Sequence, residues 1–315
     1  MNSSRMQLLA ARLLQVVPVL GLLLVVVFAL QALLPGDPAR AIAGPRATEQ
    51  QVQVVRAELG LDRPLPQRFV RYAESLGHLD LGRSNRSNLP VSTIVEQRAG
   101  VTIALLLGGM AMSIALSGPA AFLLALRPSS WPARLVERGL AVVLNCPSFW
   151  VGLMLATVVG LKLRLLPVGG LQPGVSGQVR SLILPSITIG LAIMPFLARS
   201  AATSLREVVA SDYLMTARSV GGRGWFLIRR HMLRNALPPV VTLLGFQAGA
   251  LLFGAVVVEQ TFGLPGLGAE MITAAAQRDF PVVQGLTLLF GFGIVLCNLL
   301  ADVAVACLDP RTQWS

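Results

Sequence analysis

Charge is scarce in this 315-residue chain. Only 13% of its residues are Asp, Glu, Lys or Arg, about half the share of an ordinary soluble domain. Lysine is nearly missing, Lys162 being the only one. A phosphate-cradling Gly-x-x-x-x-Gly-Lys-Ser/Thr loop cannot be built around it, so the chain is expected not to hydrolyse ATP itself. His78 and His231 lie far apart, and Cys146, Cys297 and Cys307 fall in or at the ends of apolar blocks. That scatter makes neither a disulfide framework nor a metal site. No catalytic residue, metal or cofactor is expected. The net charge of +11 is almost wholly arginine, yet no aromatic-basic platform accompanies it and the charges sit between apolar blocks. Nucleic acid is therefore not an expected partner.

What the chain does have is long uncharged stretches. Apolar residues make up 54%, and the mean hydropathy is +0.68. Lipid rather than a large aqueous core is the implied solvent. Spans in lipid must satisfy their own backbone groups, which leaves helices or a closed barrel. Blocks of about 20 residues without strict alternation favour helices. The expected fold is all-α and polytopic, with six transmembrane helices at about 13–34, 101–126, 139–161, 182–198, 236–258 and 282–305. A cleaved signal peptide has an apolar region of about 7–15 residues, shorter than the first block, which is read as a retained helix. Three parts result: 1–34, the N-terminus and first span; 35–98, a polar segment; and 99–315, a five-helix core that includes a basic loop at 199–235. Amphipathic helices are expected in the polar segment at 47–59 and 66–76, the second from the spacing of Phe69, Tyr72 and Leu76.

Basic residues in short loops set orientation. The loops at 127–138 and 199–235 carry Arg127, Arg134, Arg138, Arg199, Arg206, Arg218, Arg223, Arg229, Arg230 and Arg234 against Glu137, Glu207 and Asp212. This places both loops and both termini in the cytoplasm and 35–98 outside. Lys162, Arg164 and Arg180, in the 162–181 loop on the outer side, run mildly against it.

In the basic loop, Leu205, Val208, Val209, Tyr213, Ala217 and Val220 recur at helical spacing up to Gly221-Gly222. Ser211 or Asp212 could instead cap a fresh turn partway along. One reading is an interfacial hairpin anchored by Trp225 and Phe226. The other is a docking element that presents Tyr213, Leu214, Ala217 and Val220 to a partner groove, with Arg218 at its edge.

The run Ser211-Asp212-Tyr213-Leu214-Met215-Thr216-Ala217-Arg218-Ser219-Val220-Gly221, followed by His231-Met232-Leu233-Arg234-Asn235-Ala236-Leu237-Pro238, resembles the cytoplasmic motif of binding-protein-dependent ABC transporter permeases of the dipeptide/oligopeptide/nickel branch. The resemblance covers nearly the whole chain. It includes Pro35-Gly36-Asp37-Pro38, Leu59-Gly60-Leu61-Asp62-Arg63-Pro64-Leu65, Asp80-Leu81-Gly82-Arg83-Ser84 and Pro147-Ser148-Phe149-Trp150-Val151-Gly152-Leu153. Later fragments are Val257-Val258-Glu259-Gln260-Thr261-Phe262, Pro265-Gly266-Leu267-Gly268, Arg278-Asp279-Phe280-Pro281 and Asp309-Pro310-Arg311. Two departures stand out: Met215-Thr216-Ala217 replaces the superfamily's Glu-Ala-Ala, and Ser219-Val220 replaces Ala-Lys.

The resemblance implies an ABC importer permease fold in a bacterial inner membrane, forming half of a pathway for di- or oligopeptides or a related solute. It implies a second homologous permease, two cytoplasmic ATPase subunits and an extracytoplasmic solute-binding protein as partners, besides the lipid bilayer. Tyr213, Leu214, Ala217, Arg218, Val220, Gly221 and His231 would then couple to the ATPase. Pathway or gate candidates are Phe149, Trp150, Glu259, Pro265, Gly266, Asn298 and Asp302. Ionisable groups at membrane depth are functional candidates by default, although Asn298 and Asp302, one turn apart, could equally lock helix packing. Two other classes compete. An ion-coupled secondary transporter would need mid-bilayer carboxylate pairs and matching halves, and a non-transporting scaffold could use the same spans.

Overall fold

The structure is a computed structural model and describes residues 16–29, 38–44, 46–58, 60–219 and 234–308. Helices account for nearly all of it. They are α1 (Val16–Ala29), α2 (Pro38–Ala43), α3 (Glu49–Glu58), α4 (Leu65–Gly77), α5 (Val91–Leu126), α6 (Trp131–Asn145) and α7 (Ser148–Leu155). After α7 comes a π-helical stretch, Ala156–Lys162, and then α8 (Val175–Val209), α9 (Asp212–Ser219), α10 (Arg234–Phe262), α11 (Leu267–Ala276) and α12 (Phe280–Leu308). The chain divides into two compact units, one from 1–100 and 269–293, the other from 101–268 and 294–315.

Among the described residues, four helices are long and apolar enough to cross a bilayer: Val91–Leu126, Val175–Val209, Pro239–Phe262 and Phe280–Ala304. Helix α6 and the segment Ser148–Lys162, which is α7 with its π-helical continuation, are bent by 110° and make a fifth if taken as one span. Six were expected from sequence. The first block, 13–34, runs past the described residues at both ends, and Val16–Ala29 is shorter than the roughly 20 residues a span needs.

The expected third span at 139–161 is corrected: it is broken in two. Pro147 has no N–H and its ring disfavours helical geometry in the residue before it. Cys146 accordingly takes an extended conformation, φ −91° and ψ 130°, and α7 restarts at Ser148. Pro185 and Pro195 behave differently. Both lie inside the continuous α8 and both are buried there, where packed neighbours keep the helix going.

Helices α5 and α8, at 36 and 35 residues, would each be about 50 Å long. The hydrocarbon core is only about 30 Å thick. Each helix therefore continues into water, which is why hydropathy marks their ends at 101 and 198 while the backbone turns helical at 91 and stays so to 209. The 162–181 loop shrinks for the same reason, since α8 begins at Val175, and the 259–281 loop contains a short helix of its own, α11 at Leu267–Ala276.

In the second unit α8 is the central helix. Its apolar window is 61% buried, against 11–22% for the other three long spans. Large apolar side chains such as Leu107, Phe253 and Leu300 stay exposed on those spans, as lipid-facing residues should. Contact between α5 and α8 depends on small residues, because lipid gives no hydrophobic drive between helices and close packing must supply the attraction. A Cβ on Gly190 would lie 2.9 Å from Met112 Cβ and 3.0 Å from the Ser113 nitrogen. One on Gly109 would strike the Ile189 side chain.

In the first unit the 80–90 turn is tied to the start of α12. The Ser84 hydroxyl donates to Asp279 Oδ2, and the Asn85 N–H donates to Asp279 Oδ1 at 3.0 Å. Ser84 Oγ in turn accepts the N–H groups of Arg86 and Ser87. Arg98 pairs with Glu270 at 2.8 Å. Two sequence motifs about 195 residues apart, Asp80–Ser84 and Arg278–Pro281, thus meet through a buried hydroxyl-carboxylate contact. The expected helices of the polar segment exist as α3 and α4, and Phe28 of α1 meets Phe69 of α4 edge to face and Tyr72 at a tilt, with ring centroids 5.3 and 5.9 Å apart.

Gly190→Leu should overpack the α5–α8 contact and lower stability by about 1–3 kcal/mol. Gly118→Ala, whose Cβ would meet nothing within 4 Å, should stay within about 0.5 kcal/mol of the parent. Thermal unfolding of the purified chain in detergent compares the two.

Candidate functional site

Two sets of contacts lie toward opposite ends of α5 in the second unit, one at Leu124 beside Arg206 and one at Thr102 beside Glu259. At one end lies the basic segment. Helix α8 stops at Val209, and a new helix, α9, starts at Asp212. The Ser211 hydroxyl donates to the Val208 carbonyl, and the Leu214 N–H donates to the Ser211 carbonyl at 3.1 Å. The break thus falls at Ser211, the alternative that sequence left open, rather than first at Gly221-Gly222.

Leu214 is fully buried. It joins Leu205 and Val208 of α8, Ala121 and Leu124 of α5, and Leu140 of α6 in one apolar cluster. Its expected role as a side chain offered to a partner is therefore corrected: burial against its own chain is where its apolar surface goes, and it fastens α9 down. Residues opposite it on the helix, Asp212, Thr216 and Ser219, are exposed. Tyr213, Ala217 and Arg218 belong to α9, but their side chains lie outside the described residues, as do Val220, Gly221 and His231 altogether. Arg206 donates to the Leu124 carbonyl at 2.8 Å, where a cation meets the negative end of α5. Arg199 pairs with Glu137 at 3.1 Å on the surface.

At the other end, α10 finishes on Glu259 to Phe262. Glu259 has no exposed surface. The Thr102 hydroxyl donates to Glu259 Oε1 at 2.6 Å, and the Gly268 N–H donates to Oε2 at 2.8 Å. Thr102 Oγ1 also accepts the Leu267 N–H at 2.9 Å, and the Leu264 N–H donates to the Glu259 carbonyl at 2.9 Å. A carboxyl group in an apolar setting is tolerable only with such partners.

Glycine is required where the Pro265–Gly268 turn wraps this group. A Cβ on Gly266 would fall inside the carboxyl group, and one on Gly268 would lie 2.5 Å from Val256 Cα. The 162–174 connection is held to the same place, since the Gly170 N–H donates to the Phe262 carbonyl at 2.8 Å.

The remaining pathway candidates do not converge on Glu259. Phe149 and Trp150 are about half exposed on α7, and Pro265 is exposed beside its buried neighbour Gly266. Asn298 is exposed and Asp302 half-buried on α12. Sequence reasoning missed Thr102, an ordinary residue early in an apolar block; only its partner 157 positions away gives it a role. Ser84 and Asp279 each lie within a sequence motif, but nothing in either motif indicates the other.

With this arrangement described, the chain can be set beside known proteins. Residues 117–314 match the family described as the binding-protein-dependent transport system inner membrane component, and residues 5–106 match the N-terminal family of the same membrane component. The chain belongs to this family. Glutathione transport system permease protein GsiC of Escherichia coli O6:H1 is 37% identical over 303 residues, covering 96% of this chain and 97% of that protein. GsiC of Salmonella paratyphi A matches with the same identity and coverage. Among solved structures, two inward-facing forms of the MetNI methionine ABC transporter share the fold. Their TM-scores are 0.54 and 0.57 at 19% and 16% identity, with 69% of this chain covered in each case and 97% and 96% of the respective transporter chains. This protein is the membrane permease component of a binding-protein-dependent transport system.

Thr102→Val keeps the shape of residue 102 but leaves Glu259 Oε1 and the Leu267 N–H without that partner. Stability should fall by about 2–4 kcal/mol, and Thr102→Ser should restore most of it. Detergent unfolding curves of both variants make the comparison.

Proposed function

We propose that this permease carries short peptides or closely related solutes inward, as one half of a pathway completed by a second homologous permease. Two ATPase subunits in the cytoplasm drive it, and an extracytoplasmic binding protein delivers the solute. The 37% identity to glutathione permeases along nearly the whole chain supports a peptide-like solute. The inner-membrane family description supports placement in a bacterial inner membrane, with both termini cytoplasmic and 35–98 outside. The proposed topology has six spans, with 13–34 as the first and α6–α7 together as the third.

Coupling to the ATPase is assigned to α9 and the residues that follow it. The observation that carries this is the anchoring of α9: a buried Leu214 holds the helix at the end of the unit where Arg206 caps α5, while Asp212, Thr216 and Ser219 face outward. A short helix held rigidly on one side and open on the other can transmit a push. ATP binding in a partner can bias a two-state pathway only through a contact that differs between the states, and a rigid surface helix provides one. The coupling set retains Tyr213, Ala217, Arg218, Val220, Gly221 and His231 from the sequence and gains Thr216, with Leu214 as its internal anchor.

Topology is checked by labelling a cysteine at Ser75 in a chain whose Cys146, Cys297 and Cys307 are replaced. A membrane-impermeant reagent should reach it from outside; labelling solely from the cytoplasm would overturn the arrangement.

Coupling has its own test. Ala217→Asp and Thr216→Arg should each reduce ATPase-subunit association and uptake roughly thirty-fold or more, the effect of about 2 kcal/mol or more from an unpaired interface charge. Leu214→Ala should act on stability instead, by about 2–5 kcal/mol. Uptake and copurified ATPase, normalised to inserted permease, separate the two effects. Wild-type values for both charge variants would remove α9 from the coupling role.

A further inference from the structure

The first unit contains a cavity of about 310 Å³ between α1, α4, the 80–85 turn and the start of α12. That is the low end of the size range for small-ligand sites. Its walls are of two kinds. One is apolar, formed by Phe28, Leu61, Leu81, Phe280 and Pro281; the other is basic, with Arg63, Arg68 and Arg71.

Hydrogen-bond donors outnumber acceptors on the charged wall. Among the described residues, the ion pairs are Arg40–Glu49, Arg98–Glu270 and Arg199–Glu137, so none of the three cavity arginines is consumed by a carboxylate. The single acid in the wall, Asp80, accepts the Gly82 N–H with Oδ1 at 2.8 Å. Arg71 is held close to backbone, since a Cβ on Gly60 would lie 3.3 Å from its Nη1, and Gly60 has φ +64°. Guanidinium groups only donate.

Tyr72 adds to the imbalance. Its hydroxyl is buried and has no hydrogen-bond partner among the described residues. Burial pushes its phenol up to about 12, so it keeps its proton and remains available as a donor. A buried hydroxyl without a partner is unfavourable by about 1–3 kcal/mol, and an acceptor placed in the cavity would relieve that.

We propose that this cavity binds an oxyanion group, a carboxylate or phosphate, carried on an apolar body. Arg63, Arg68, Arg71 and the Tyr72 hydroxyl hold the anionic head, and Phe28, Phe280 and Pro281 cover the apolar part. The chemistry follows from an excess of donors beside an apolar wall, with Asp80 as the single acid among the lining residues: guanidinium pairs well with the planar or tetrahedral oxygens of such groups. Two sources carry this head-and-body chemistry, an anionic phospholipid and a free organic acid. The site stands apart from the transport reading, because it is defined by binding and not by uptake.

The test uses the full chain in nanodiscs of phosphatidylcholine. One arm titrates phosphatidylglycerol into the discs and counts retained lipid by native mass spectrometry. The other titrates N-acetylphenylalanine, with N-acetylphenylalanine amide as the uncharged control, and follows binding by ligand-observed NMR. Saturable binding in at least one arm is expected, and the arm that responds identifies the source. Arg68→Gln with Arg71→Gln should weaken it about tenfold or more, the loss of one or two charge-assisted hydrogen bonds. Tyr72→Phe should weaken it about three- to tenfold, the loss of one neutral hydrogen bond. The tyrosine variant keeps every charge and the ring, so it decides the matter if the double variant fails to fold. Saturation in neither arm, equal binding of the amide and the acid where only the second arm responds, or unchanged affinity in the folded variants would overturn the proposal.

Discussion

A bilayer core offers no hydrogen-bonding partner, so every polar group placed there must find one within the protein. The helices meet that demand for the backbone. Glu259 faces the same demand as a side chain, and its solution organises one end of the second unit. Thr102, near the start of the apolar part of α5, and the Gly268 amide, just past the Pro265-Gly266 turn, converge on the two carboxyl oxygens. The same few residues then carry further connections: Thr102 to Leu267, Glu259 to Leu264, Phe262 to Gly170.

The opposite end of that unit is joined by other means. There the fastening is apolar, with Leu214 among Leu205, Val208 and Leu124, and a guanidinium of Arg206 on the last turn of α5. The difference suits the roles assigned. A hydrogen-bonded carboxyl lock has one geometry and resists displacement. An apolar seat under an exposed helix holds position while leaving the outer face available, which is what a moving partner needs. Helix α8, the most buried of the long spans, runs without a break from Val175 to Val209.

The first unit shows a third kind of joint, the Ser84–Asp279 contact with its surrounding amides. It draws a turn before α5 onto the start of α12, and Gly82 packs on Pro281 beside it. The arginine-lined cavity sits on this frame, and its walls come from segments that are far apart in sequence.

Much was legible in the sequence alone. Low charge and long apolar blocks dictated helices in lipid, and the ordered motifs from Pro35 to Arg311 led to the family. Both rest on composition and local pattern, which sequence records directly. Hydropathy could not find the true ends of α5 and α8, because a helix keeps its hydrogen bonds after it leaves lipid and only the solvent around it changes. Nor could it tell Pro147, which breaks a span, from Pro185 and Pro195, which do not; the neighbours packed around each proline decide that. Leu214 fitted a partner-facing reading on periodicity alone, yet its direction depends on where α5 and α6 lie. Thr102 became part of a site only when tertiary structure brought it to Glu259, since a hydroxyl gains its meaning from the group it can reach across space.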